Sequence, residues 1–335
     1  MNARRPIFCL TPVRNEAWIL DVFLRAASTW ADRIIIADQQ STDATRAVCA
    51  RFPKVEVVDN PGGGYDEANY RRIPLRRARQ LAPDAIIVAI DADEVLSGPA
   101  VRWLQSEVVQ TAPAGSVWSL PWMNLKPGRR EGWSLLNFPV VFADDGSDFS
   151  GKLIHSPRIP KAETARVLEL PGAFLFHLQY LNASRLASKQ RWYQALERVK
   201  DPRKSAVWIY RAYHHLALLR AEQFQPVNPA SLEGSGITDA DLAALERADE
   251  PFYWWDAAVL GWMAEHGPEF FRRIDLWDTD WNQLVARGCP GWKGGPIRDP
   301  RRNFDRRLIR YLERTQPRSD SWLQRKVDKV LRSLW

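Results

Sequence analysis

Apolar residues in the first hundred positions alternate between two rhythms. Short unbroken runs at 7–10, 33–37, 55–58 and 85–90 have the length and content of buried strands. Between them the spacing turns helical. Ile19, Val22, Phe23, Ala26, Ala27 and Trp30 recur at i, i+3, i+4, i+7, i+8 and i+11, the stripe of a helix packed on a sheet, so a helix is predicted from residue 16 to about 30. Ser41 or Thr42 is placed to cap a second helix, which Pro53 stops, and a third is predicted over 67–81. Strand and helix in strict alternation predict an α/β fold: a mostly parallel sheet with right-handed crossovers and helices on both faces.

Beyond Pro99 the rhythm changes. Strands are expected at 116–123, 138–143 and 173–180, with more Pro and Gly between them, which makes the sheet mixed. From about residue 183 the pattern reads helical to the end of the chain. One boundary is expected near residue 200, giving a sheet domain over 1–200 and a helical, Trp-rich extension over 201–335. The chain holds 16 Trp, eight of them beyond residue 250, and core packing accounts for most.

The fourth apolar run ends in Asp91, Asp93 and Glu94. Aspartate oxygens suit hard divalent cations, which complete their shells with water and substrate phosphates, so the placement implies a nucleoside-diphosphate ligand and Mn²⁺ or Mg²⁺. The same D-x-D spacing recurs at Asp239 and Asp241 and at Asp278 and Asp280. No strand precedes Asp239; Thr238 there reads as the N-cap of a helix with acids in its first turn. In a parallel sheet the carboxyl ends share one edge, so four polar loops, 12–16, 38–43, 60–66 and 91–94, are expected to meet where such sheets bind nucleotides. Neither a G-x-x-x-x-G-K-[ST] loop nor a G-x-G-x-x-G turn opens the first helix, which disfavours P-loop and dinucleotide chemistry.

Charge refines this picture. The net charge is +7, and residues 301–335 hold eleven Lys and Arg against four Asp and Glu, an excess equal to the whole. A balanced body with one basic end points to a local anionic partner, with a membrane surface as the leading candidate and nucleic acid disfavoured. Leu323, Val327, Val330, Leu331 and Leu334 share one helical face near that end, amid Arg325, Lys326, Lys329 and Arg332. No apolar run approaches the roughly 18 residues of a membrane span, and the N-terminal stretch is too short and Pro-broken for a signal peptide. A cytoplasmic location is expected, peripheral on the inner face of the membrane if the basic helix anchors there. Cys9, Cys49 and Cys289 lack metal-ligand spacing and read as reduced core residues.

Thr11-Pro-Val-Arg-Asn-Glu16, Ile34-Ile-Ile-Ala-Asp-Gln-Gln-Ser-Thr-Asp43 and Ala89-Ile-Asp-Ala-Asp-Glu94 together resemble the three signatures of glycosyltransferase family 2. The resemblance covers roughly residues 6–200 and implies a GT-A type, Rossmann-like fold and inverting sugar transfer from a nucleotide sugar. It implies that Pro12, Val13, Asn15 and Glu16 contact the nucleoside, that Asp38 and Asp43 sit around base and ribose, and that Asp93, with Asp91, binds the metal. Gln39 and Gln40 replace the commoner Asp-Gly after the second strand, which leaves the choice of base open. A second stretch, from Phe149 through His155 and Arg158 to His177 and Lys189-Gln-Arg-Trp-Tyr193, resembles a bacterial branch acting on cell-surface glycans. Where many of that group carry an acid after the first His, this chain has Ser156.

On this reading His177 is a third metal ligand and His155 positions the acceptor. Arg71, Lys189 and Arg191 meet the diphosphate. The general base is sought among Glu131, Asp144, Asp145, Asp148, Asp278 and Asp280, with Asp148 chosen. Donor and acceptor are then a nucleotide sugar and a glycan or lipid-linked hydroxyl. Two other readings compete: a nucleotidyltransferase releasing pyrophosphate, and a non-catalytic glycan- or lipid-binding scaffold with a vestigial D-x-D.

Overall fold

The computed structural model describes residues 4–61, 67–149 and 157–334. They form two compact units, one of Met1–Asn182 with Phe224–Ala248, the other of Ala183–Gln223 with Asp249–Trp335. The single boundary expected near residue 200 is therefore corrected: the division falls after Asn182, and the sheet unit takes the chain back later.

The strands of the first unit are β1 (Ile7–Val13), β2 (Arg33–Asp38), β3 (Val55–Asp59), β4 (Ile86–Ala89), β5 (Glu94–Leu96), β6 (Val117–Leu125), β7 (Glu131–Trp133), β8 (Asn137–Ala143), β9 (Arg166–Val167), β10 (Leu175–His177) and β11 (Gln225–Pro226). Its helices are α1 (Ala17–Ser28), α2 (Thr45–Cys49), α3 (Glu67–Leu81), α4 (Gly98–Leu104) and α5 (Glu107–Gln110). The main path of the sheet runs β11-β7-β6-β8-β4-β1-β2-β3. β3, β2, β1 and β4 are parallel, as their helical connections require, and antiparallel β8 joins β4 to the later strands. The expected Rossmann-like mixed sheet is thus present.

Side chains alternate across this sheet as a period of two demands. Ile7, Cys9, Ile34, Ile36, Ile86 and Val88 face one core with the α1 stripe, and Phe8, Leu10, Ile35 and Ile87 face the other with Leu75 and Ala78 of α3. Both faces are covered, which is why these strands read as unbroken apolar runs. All three cysteines are free and buried.

The return segment supplies β11, antiparallel to β7, and a helix at Asp239–Arg247. Thr238 caps that helix, and Asp241 accepts hydrogen bonds from Arg25 of α1. The second D-x-D is accordingly a helix start, as its surroundings predict.

Numbered in chain order, the second unit holds α6 (Ala183–Lys200) and α7 (Ala206–Tyr213). The helix at 239–247 is α8, and α9 (Trp254–His266), α10 (Trp281–Ala286), α11 (Asn303–Thr315) and α12 (Trp322–Leu334) follow. This unit has its own core, in which Ala195, Val207, Ile209, Leu260, Met263, Phe271 and Leu312 are buried. Trp277 and Trp281 belong to that core as well. No helix among the described residues is long and apolar enough to cross a membrane.

Candidate functional site

The turn between β4 and β5 is fixed from within. The Glu94 amide donates to the Asp91 carbonyl at 3.0 Å, and the Asp91 amide donates to Glu94 Oε2 at 2.9 Å. The Glu94 side chain is fully buried, and a buried carboxylate persists only if it is paired and hydrogen-bonded. Trp122 Nε1 meets Oε1 at 2.7 Å, and Arg158 grips both oxygens, with Nη2 at 2.8 Å from Oε1 and Nη1 on Oε2. Of the three carboxylates ending the fourth apolar run, Glu94 is thereby committed to the framework.

Asp91 lies between two arginines. Arg158 Nη2 is 3.1 Å from one of its oxygens and Arg71 Nη2, from α3, is 3.2 Å from the other. Burial alone would raise the Asp91 pKa, but Arg158 and Arg71 outweigh it and hold the group below the usual carboxylate range. Burial likewise opposes the Arg158 charge, and the neighbouring Asp91 and Glu94 raise its pKa above the ordinary guanidinium value. Arg158 also lies over the Phe138 ring at 4.6 Å. Arg71 keeps Nη1 buried with no hydrogen-bond partner among the described residues.

Asp93 faces a histidine because of strand pairing distant in sequence. β10 runs antiparallel to β5 with His177 opposite Glu94, and parallel to β6 with His177 opposite Asn124. The Leu178 amide then donates to the Asp93 carbonyl at 2.8 Å, and His177 Nε2 stands 3.5 Å from Asp93 Oδ2. Asn124 Nδ2 donates to the Trp133 carbonyl at 3.3 Å, which turns Asn124 Oδ1 toward His177 Nδ1, 2.7 Å away. An amide oxygen accepts, so Nδ1 carries a proton, and Nε2 is the nitrogen turned toward Asp93. Trp122 stacks on the imidazole at 4.2 Å and Tyr180 meets it edge-on at 5.3 Å. A lone pair aimed at a carboxylate is favourable only with a proton or a cation between them. The donor set of one imidazole and one carboxylate suits a divalent ion that keeps further positions for water and phosphate. Among the described residues, no group of three or more His, Cys, Asp or Glu side chains converges as a metal site, and both Asp91 oxygens are taken by arginines.

The loops after β1 and β2 are stitched together beside this turn. Pro12 and Val13 end β1 opposite Ala37 and Asp38. Asn15 has a positive φ of 55°; its amide donates to Ser41 Oγ at 2.9 Å, and its Oδ1 accepts from the Thr42 amide at 2.7 Å. The Glu16 amide donates to Thr45 Oγ1, and Asp43 accepts from the amides of Ala17 and Thr45. Asp43 therefore satisfies a free N–H at the start of α1 from a neighbouring loop. Asp38 is buried and accepts from Arg46 Nε at 2.5 Å. Asn60, from the loop after β3, donates its amide to the Asp38 carbonyl and is itself buried, with Oδ1 unpartnered among the described residues.

The remaining candidates are dispersed. Asp148 is exposed; its own neighbour's amide, from Phe149, and Arg72 hold it below the usual range. Asp144 is buried against Arg79, Asp145 pairs with Lys161, and Glu131 pairs with Lys126 at 3.1 Å. Lys189, Arg191, Asp278 and Asp280 all belong to the second unit. There Lys189 lies 5.9 Å from the Trp255 ring, Arg191 is 3.2 Å from Asp278, and Asp280 caps α10. His155 and Ser156 lie outside the described residues, as does most of the 60–66 loop. Asn124 and the role of Arg158 have no signal in the sequence, and Asn60 is expected only as the first residue of its polar loop. Arg158 stands in a quoted motif, but its partners are more than sixty residues away.

No family model matches the chain, and no curated protein sequence matches it. Among solved structures, it is similar to 4-diphosphocytidyl-2C-methyl-D-erythritol synthase at 17% identity, over 42% of this chain and 75% of that one, with a TM-score of 0.32. It is also similar to glucosyl-3-phosphoglycerate synthase from Mycobacterium tuberculosis, in complex with Mn²⁺, uridine-diphosphate and phosphoglyceric acid. That likeness has 22% identity and a TM-score of 0.26, over 38% of this chain and 44% of that one. Likeness at this level carries no argument about the chemistry of this chain.

Proposed function

We propose that this protein is a glycosyltransferase of the GT-A kind, moving a sugar with inversion from a nucleoside-diphosphate donor to a hydroxyl of a glycan or glycolipid, with Mn²⁺ or Mg²⁺ as cofactor. The observation that carries this reading is the Asp93–His177 pair at the carboxyl edge of a parallel sheet, its imidazole oriented by Asn124 so that Nε2 and a carboxylate oxygen stand 3.5 Å apart. Asp93 and His177 would hold the cation. Bound there, it would supply Lewis-acid stabilisation of the charge on the departing diphosphate.

The other residues act on the donor directly. Arg71 has a buried Nη1 with no partner among the described residues, a donor suited to a phosphate oxygen, while its Nη2 is anchored on Asp91. Asn60 Oδ1, which has no partner among the described residues, would meet the polar edge of a nucleoside, and Asp38, buried on Arg46 and the Ser41 amide, would hold the neighbouring loop in place. Inversion also needs a base near neutrality. Asp148 is held low by Phe149 and Arg72, and Asp145 by Lys161 and Ser147, so each is a weak base as it stands.

The test is thermal unfolding with UDP, GDP, TDP and CMP, each with and without Mn²⁺. A nucleoside diphosphate at ~100 times its Kd adds about 2.7 kcal/mol, a readily measured rise in Tm. We expect that rise for at least one diphosphate and only with the metal present. Identical curves with and without metal for every nucleotide would sink the proposal. Release of pyrophosphate from a sugar-1-phosphate and a nucleoside triphosphate would replace it with nucleotidyl transfer.

A further inference from the structure

The C-terminal helix α12 is docked the wrong way round for a helix of a water-soluble unit. Its buried positions are polar: Gln324 and Asp328 are buried, with Leu331 half-buried beside them. Its exposed positions include, among the cations, a set of large apolar side chains: Trp322, Leu323, Val327 and Val330 are 69%, 65%, 37% and 60% exposed.

This orientation is locked by a buried network on Arg211 of α7. Arg211 binds both oxygens of Asp328, at 2.9 and 3.0 Å. It also donates to the Leu312 carbonyl at 2.8 Å, Gln316 Oε1 at 3.0 Å and Thr315 Oγ1 at 2.7 Å. Gln324 Nε2 completes the set, 2.8 Å from Asp328 Oδ1. A satisfied buried network of this kind specifies one arrangement, because any rotation of the helix would leave the Arg211 charge unpaired. The outward apolar face is therefore what the sequence specifies and holds.

We propose that this face of α12 binds an anionic lipid bilayer surface, lying in the interface with Leu323, Val327 and Val330 among the acyl chains. Arg325, Lys326, Lys329 and Arg332 are all exposed on the same helix; Lys326, beside the apolar face, would meet the headgroup phosphates, and the others add to the positive field that draws the helix to an anionic surface. Trp322 is exposed beside them, with Lys326 Nζ 4.0 Å above its ring, the pairing of an amphipathic ring and a snorkelling lysine suited to headgroup depth. Charge selects a bilayer over a second copy of the chain: a two-fold contact would set these four cations against their equivalents, whereas an anionic surface neutralises them. The inference is independent of the donor chemistry proposed above.

The experiment is co-sedimentation of the full chain with phosphatidylglycerol–phosphatidylcholine vesicles and with phosphatidylcholine vesicles, at low and high salt. Binding is expected to the anionic vesicles alone and to weaken as salt screens the cations. Leu323→Glu with Val330→Glu, both exposed and so harmless to packing, is expected to reduce partitioning by at least about tenfold with the circular dichroism unchanged. Lys326→Glu with Lys329→Glu is expected to do so by a similar factor. Equal binding by the Leu323/Val330 variant, or no binding of the parent to anionic vesicles, overturns the proposal. So does a parent dimer in sedimentation velocity that the same variant converts to monomer, which would assign the face to a second copy.

Discussion

At the scale of single residues, the carboxylates of the sheet unit differ in what each one touches. Glu94 is spent on Trp122 and Arg158, Asp91 on two arginines, and Asp93 faces an imidazole. Asn124 sets that imidazole, so we expect Asn124→Ala to weaken Mn²⁺ binding about 10- to 100-fold, measured by titration of the metal with donor nucleotide present. An unchanged affinity would remove Asn124 from the positioning role. Asp145 offers a pH test. Burial would raise it, but Lys161 and Ser147 hold it at about 2 against an ordinary 3.8. A folded value below the unfolded one adds stability above the ordinary pKa, and that stability is lost as pH falls through the folded value. In urea melts, Asp145→Asn should therefore cost on the order of 1 kcal/mol at neutral pH, with the gap closing near pH 2. A gap that is constant with pH would mean the pair contributes nothing. The D-x-D was legible because an unbroken apolar run leads into it. Asn124 was not, since nothing local to it distinguishes it from any strand amide, and Asn60 was legible only as part of the polar 60–66 loop.

At the scale of elements, local periodicity succeeded where one element packs on a continuous surface. Every apolar position of the predicted α1 stripe is buried, and Phe23 is among the largest fully buried side chains. Phe23→Ala should cost about 3–5 kcal/mol in urea unfolding through the cavity it leaves, and a loss below 1 kcal/mol would show that the stripe is not the packed face. Where tertiary bonds compete, the local signal gave way. Ser41 and Thr42 read as caps, yet they bond to Asn15, and α2 begins at Thr45 after an Ala44 N-cap with no side-chain hydrogen bond. The strand expected over 173–180 shortens to β10, which pairs with a β5 of only three residues. That pairing places His177 against Asp93, and no periodicity within either segment encodes it. Arg158→Met tests the same junction: orphaning the Glu94 charge should destabilise the chain by ~3 kcal/mol or more, and a neutral effect would deny the network its structural role.

At the scale of the whole molecule, two separate cores explain why one boundary near residue 200 was too simple. The change to a helical pattern marks a second unit in the sequence, but the return of 224–248 to the sheet rests on the β11–β7 ladder and on Arg25 meeting Asp241, contacts of more than ninety residues' separation. Charge was legible at this scale, since the excess of Lys and Arg sits where the exposed face of α12 lies. The direction of that face was not, because it depends on Arg211 reaching Asp328 from another helix.

The proposed transfer depends most directly on Asp93. The decisive measurement is donor turnover by Asp93→Asn beside Asp239→Asn, with Mn²⁺ and the nucleotide sugar whose diphosphate stabilises the parent protein. Asp93→Asn removes ligand charge at an edge turn and no core volume, so turnover should vanish while the far-UV circular dichroism is retained, and Asp239→Asn, at the start of α8, should match the parent. Parental turnover by the Asp93 variant, or equal loss in both, would contradict the assignment of this edge as the site of transfer.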